Sequence, residues 1–168
     1  MTEMIGRNKL MLMKAGKVFY HEEEIIEHLE GLQIFIRPSQ PDYEPEVVFR
    51  ELVTENSLNE WRSLASNQPN SELTFTSETE IFDMIINSTS MFSFPVTKLK
   101  NAIYLLYVFD GEILVNDKLN IQKGESVITD EISTYFSCDH SSEVVLFVTD
   151  SKQDCYKKGM FSGNKFQN

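Results

Sequence analysis

Two side chains near the start of the chain, His21 and Glu23, have the types and spacing of half a metal site. They close the run MKAGKVFYHEE at residues 13–23. If that run is a strand, side chains alternate faces, so positions 21 and 23 point the same way. An imidazole and a carboxylate so placed can hold Fe(II) or another divalent transition metal. A stable site needs at least one more protein ligand. Of the three histidines in the chain, the other two, His28 and His140, belong to no His-x-His pair. The pair is therefore either a metal site completed by His28 or a partner chain, or a remnant on an exposed strand that holds no metal stably. We adopt the second reading. His140, in SCDHSS, reads as a solvated loop residue. Cys138 with His140 has the types of a nucleophile and its base, but no oxyanion-hole pattern or third partner accompanies them. No catalytic residue and no further cofactor-binding residue is assigned.

The elements that must position these residues read as strands. Residues 9–18 are a candidate strand, followed by the acidic cluster EEEIIE at 22–27 and by LQIFI at 32–36, which alternates like a second strand. Pro38, Pro41 and Pro45 then mark an extended connection. Beyond it, short strand candidates recur at 46–52, 72–76, 80–86, 90–94, 102–109, 112–116, 126–129, 134–138 and 143–148, with 58–65 read as a turn or two of helix. Many short strands with turn residues between them predict an antiparallel sandwich or barrel. Asp110-Gly111 reads as a hairpin turn, and Gly124 as a second turn before the next strand. Tyr104, Tyr107, Phe109, Phe82 and Met84 are expected to point into the barrel, as core rather than as a ligand box. Residues 151–168 read as a polar tail.

Length and composition bound the function. A chain of 168 residues with 41% apolar content is expected to form one main domain with a real core. The net charge of −11 argues against binding a nucleic-acid backbone, which takes a basic patch. The two cysteines, Cys138 and Cys155, form neither a disulfide framework nor a zinc motif, and we expect free thiols in a reducing compartment. The longest apolar run, AIYLLYVF at 102–109, is too short to span a membrane, and LMLM at 10–13 is too short for a secretion signal. A soluble, cytoplasmic protein is expected, with no membrane or nucleic-acid partner.

Three segments resemble the pirin family of bicupins, which includes quercetin 2,3-dioxygenase-like proteins. Residues 13–23 look like the family's M-x-A-G-x-G-x-x-H-x-E. Residues 30–36 are similar to the strand that leads into the family's second cupin, and residues 111–148 to that cupin's last strands. The resemblance implies an all-β cupin (RmlC-like) jelly-roll β-barrel. It also implies that His21 and Glu23 match the third and fourth ligands of a metal, usually iron, held in the first barrel. The His-x-His pair that would supply the first two ligands has no counterpart here. The chain looks like a pirin with its first barrel nearly absent: residues 1–30 as an N-terminal strand arm, 31–150 as the cupin domain and 151–168 as a tail. We expect a non-catalytic binding or interaction module, a homodimer through the N-terminal arm, with room for a small apolar ligand in the barrel. The alternatives are a metal-dependent dioxygenase resembling quercetin 2,3-dioxygenase, and a regulator of transcription acting through protein partners.

Overall fold

The structure, a computed structural model, describes residues 2–16 and 20–156. It is all-β, with twelve strands among the described residues. Six of them form one sheet: β3 (Arg62–Ser66), β4 (Leu73–Thr74), β5 (Thr79–Ile86), β7 (Ala102–Asp110), β10 (Ser126–Thr129) and β12 (Ser142–Asp150), in the order β10-β7-β12-β5-β3-β4. Four form a second: β6 (Phe92–Ser93), β8 (Glu112–Val115), β9 (Leu119–Gln122) and β11 (Tyr135–Ser137), in the order β6-β11-β8-β9. Every pairing is antiparallel except β3 with β4. β1 (Lys9–Lys14) and β2 (Glu46–Glu51) make a separate antiparallel pair.

The period of two builds the core. On β12, Ser142, Val144, Leu146 and Val148 are fully buried in the interior between the sheets. The alternate residues Val145 and Phe147 reach a second cluster with Ala65, Leu73 and Ile81. Leu10 and Leu12 of β1, Val48 of β2 and Ile36 also pack there. The run VVLFV at 144–148 is apolar throughout because both faces of this strand are covered, a pattern that marks a fully buried strand. On β5 and β7 the same alternation sends Phe82, Met84, Ile86, Tyr104, Leu106 and Val108 inward. Tyr107 and Phe109, expected inside, are odd-numbered on a strand whose even residues face in, so they lie half-buried outside that core.

Several local expectations change. The first strand stops at Lys14, short of His21, and residues 17–18 of the expected span lie outside the described residues. β1 pairs with β2 of the same chain over six residues. Gly16 explains the turn that follows, with φ at +56° and room for no side chain, since a Cβ would fall 2.0 Å from the Tyr43 carbonyl oxygen. Residues 32–36 form no strand; alternation supplies no ladder partner, and only Ile36 docks on the second cluster. The helix expected at 58–65 is a 3-10 turn at Thr54–Ser57 and then β3, whose Arg62 is pulled into the sheet by Asp83 of β5.

The Asp110-Gly111 turn is a corner rather than a hairpin. β7 and β8 belong to different sheets, and Gly111, φ +81°, lets the backbone cross where a Cβ would lie 2.5 Å from Ser142 Oγ. The hairpin falls one strand later, between β8 and β9, a strand absent from the strands expected from sequence. Asn116 and Asp117 both have positive φ there (50° and 55°), and Lys118 N–H donates to the Val115 carbonyl at 3.0 Å. Two adjacent left-handed residues give the primed turn whose twist suits antiparallel strands.

Candidate functional site

His21 and Glu23 sit in residues 20–45, which carry no strand or helix. The strand argument for their shared face therefore does not apply, yet the two side chains meet: His21 Nε2 lies 3.4 Å from Glu23 Oε1. Both residues are exposed. His28 and His140 are exposed as well, and no group of three or more His, Cys, Asp or Glu side chains among the described residues is placed to hold a metal ion. Two donors do not fix the coordination of a divalent transition metal. The described residues thus supply an incomplete donor set for the metal that the sequence resemblance implies.

The chain around this pair carries more than polar residues. Ile25 is 83% exposed and Ile26 65%, with Leu29, Ile34 and Phe35 also outside the core. The segment is fastened further along, where Lys123 Nζ donates to Glu30 Oε2 at 2.9 Å and pairs with Asp110 Oδ1 at 3.4 Å. These carboxylates, Glu30 first, hold the Lys123 ammonium above its ordinary value. Beside Lys123 lies an open hollow of about 480 Å³, lined by Gly111, Glu112, Gln122, Lys123 and His140. His140 is thus a rim residue there, and its carbonyl accepts from Ser142 Oγ at 3.4 Å. Neither His21 nor Glu23 lines that hollow.

The space between the sheets is filled by aromatic rings. Phe94 stacks on Tyr104 with centroids 4.9 Å apart, Phe92 stacks on Phe136 at 5.9 Å, and Trp61 meets Phe136 edge-on at 5.9 Å. Trp61 Nε1 donates to the Ser93 carbonyl at 2.8 Å, so its one polar atom is satisfied. Cys138 is buried on this core, and burial pushes its thiol above its ordinary value. That is the opposite of what a nucleophile paired with His140 needs.

Two buried charged groups escaped the sequence reading. Arg62 donates from Nε to Asp83 Oδ1 at 2.9 Å, from Nη2 to Asp83 Oδ2, and from Nη1 to the Val53 carbonyl at 2.7 Å. Glu80, at the start of β5, is buried on the interior face. The signal for Glu80 was present: it shares parity with Phe82, Met84 and Ile86, all of which face in.

No protein-family model and no curated protein matches the chain. Solved structures do. Bacterial pirin YhhW from Escherichia coli, in complex with nickel(II), superposes with a TM-score of 0.57 at 16% identity, covering 67% of this chain and 47% of that one. Quercetin 2,3-dioxygenase from Acinetobacter baumannii gives 0.54 at 13% identity, covering 68% of this chain and 43% of that one. The fold is therefore a pirin-like cupin fold, and the chain spans less than half the length of either protein. Among the described residues no helix is long and apolar enough to cross a membrane.

Proposed function

We propose that this chain is a non-catalytic cupin-fold interaction module that works as a homodimer in the cytoplasm, with its N-terminal residues 20–35 as the interface. The observation that carries this reading is the exposed apolar series Ile25, Ile26, Leu29, Ile34 and Phe35 on a segment without secondary structure. Contiguous exposed apolar surface marks interaction sites, and two-fold pairing is the commonest outcome for a soluble chain. The acidic residues Glu22, Glu23, Glu24 and Glu27 interleave with that series. Two copies would bring these like charges together, so association should strengthen as salt screens them. The free thiols Cys138 and Cys155 support a reducing compartment. Sedimentation equilibrium of the full chain tests the reading. A dimer that tightens with salt and dissociates in Ile25→Asp/Phe35→Asp is expected; a monomer at every salt concentration would overturn it. Deleting residues 1–30 is a poorer test, because β1 lies in that span and covers the second apolar cluster.

A second reading, a metal-dependent dioxygenase resembling quercetin 2,3-dioxygenase, is favoured by one observation, the 3.4 Å approach of His21 to Glu23. It requires a further donor from a partner or from residues outside those described. Elemental mass spectrometry after loading with Fe(II), Mn(II) or Ni(II) separates the two. About one metal per chain, lost in His21→Ala, would make the dioxygenase the leading reading; no retained metal would sink it.

A further inference from the structure

Residues 20–35 are exposed at every position. The chain is next held firmly at Ile36, Arg37 and Pro38. Ile36 packs on the second apolar cluster, the Arg37 carbonyl accepts from Ser77 Oγ, and the Pro38 carbonyl accepts from the Tyr156 N–H at 2.9 Å. Across residues 22–34 no side chain belongs to either core cluster. Over that span one hydrogen-bonded ion pair reaches the rest of the described fold: Lys123 Nζ donates to Glu30 Oε2 at 2.9 Å. An exposed ion pair adds little to an element that packing already holds. Here no packing holds the span, so a weak contact is enough to set its position.

The two ends of this contact are unlike. Lys123 stands in the turn between β9 and β10, where its N–H donates to the Gly111 carbonyl at 2.9 Å. The next N–H, of Gly124, donates to the Val108 carbonyl at 2.9 Å, so the turn is pinned to the end of β7. Glu30 has no such frame, because it lies in a segment without strand or helix. Lys123 also reaches Asp110 Oδ1 at 3.4 Å. The ammonium therefore keeps a carboxylate when Glu30 leaves, and the attached and released positions of the span stay close in free energy. Salt weighs on that balance, since the Lys123 and Glu30 side chains are 47% and 56% exposed and their attraction is screened by ions.

We propose that the Glu30–Lys123 pair is a salt-sensitive latch that holds residues 22–34 against the corner between β7 and β8, and that its release frees Ile25, Ile26 and Leu29 for a partner. Only the second half rests on the proposed dimer; the latch itself is a property of the single chain. The test is backbone amide order parameters of the full chain from NMR relaxation, at low salt and at a concentration where sedimentation shows a monomer. Glu30→Gln and Lys123→Glu should each lower the order of residues 27–33, with the released population rising about two- to fivefold, as loss of an exposed pair allows. Glu30→Lys with Lys123→Glu exchanges the charges and should restore the order. Added salt should loosen the unaltered chain and leave Glu30→Gln as it was. The β12 amides should stay unchanged throughout. Should Lys123→Glu disturb the turn between β9 and β10, Glu30→Gln decides alone, because Glu30 lies outside both core clusters. Equal order in the unaltered chain and Glu30→Gln, or a charge-exchanged chain as loose as Lys123→Glu, would overturn the latch. Order lost in Glu30→Gln while the unaltered chain stays monomeric at every concentration would support the latch and sink the dimer.

Discussion

At the scale of single residues, Arg62 is buried against the half-buried Asp83, with the guanidinium also engaging the Val53 carbonyl. Removing one member strands the other, so Arg62→Ala should cost roughly 3–5 kcal/mol in urea unfolding. Arg62→Met with Asp83→Leu should recover much of that loss, because the pair is replaced rather than broken. The thiols differ in the same physical way. Burial raises the Cys138 thiol above its ordinary value of 9.0, so its reactive thiolate is scarce at neutral pH. A thiol reagent should modify the partly exposed Cys155 quickly and Cys138 only on unfolding. Because the raised group holds its proton more tightly in the folded state, its contribution to stability is complete below pH 9.0 and is lost as pH rises above that value. His21 and Glu23 were legible as a pair, and they do meet at 3.4 Å. The strand argument for why they meet does not hold, because β1 ends at Lys14.

At the scale of elements, short apolar runs bounded by turn residues made β5, β7, β10 and β12 visible. What the sequence hid was which sheet each strand joins. Asp-Gly signals a tight reversal equally well at a hairpin and at a corner between sheets, and only the partner strands distinguish them. The Asn116-Asp117 hairpin was missed because neither residue is Gly, although both adopt positive φ. At 58–65 tertiary pairing outweighed helical spacing, because Arg62 gains its carboxylate partner only from the sheet. Gly16 belongs to this scale too, since it lets β1 turn beneath the Tyr43 carbonyl. Gly16→Ala combines positive φ with a backbone clash. It should destabilise the chain by about 1–3 kcal/mol and speed amide exchange in β1 before any other strand.

For the whole molecule, a jelly roll with an aromatic interior is padded on one outer face by the β1–β2 pair, and the segment between those strands projects apolar residues outward. Fold class was legible because many short strands and turn residues admit few other architectures. The role of residues 20–45 was not, because a segment without regular structure has no period to read. The net charge of −11 opposes self-association at low salt and relents as ions screen it, so oligomeric state is expected to depend on ionic strength. The most direct measurement is amide hydrogen exchange of residues 20–35 at low and high protein concentration, at physiological salt. Exchange across Ile25, Ile26, Leu29, Ile34 and Phe35 is expected to slow as concentration rises, while the β12 amides stay unchanged. Equally fast exchange of that segment at both concentrations would contradict a dimer through these residues.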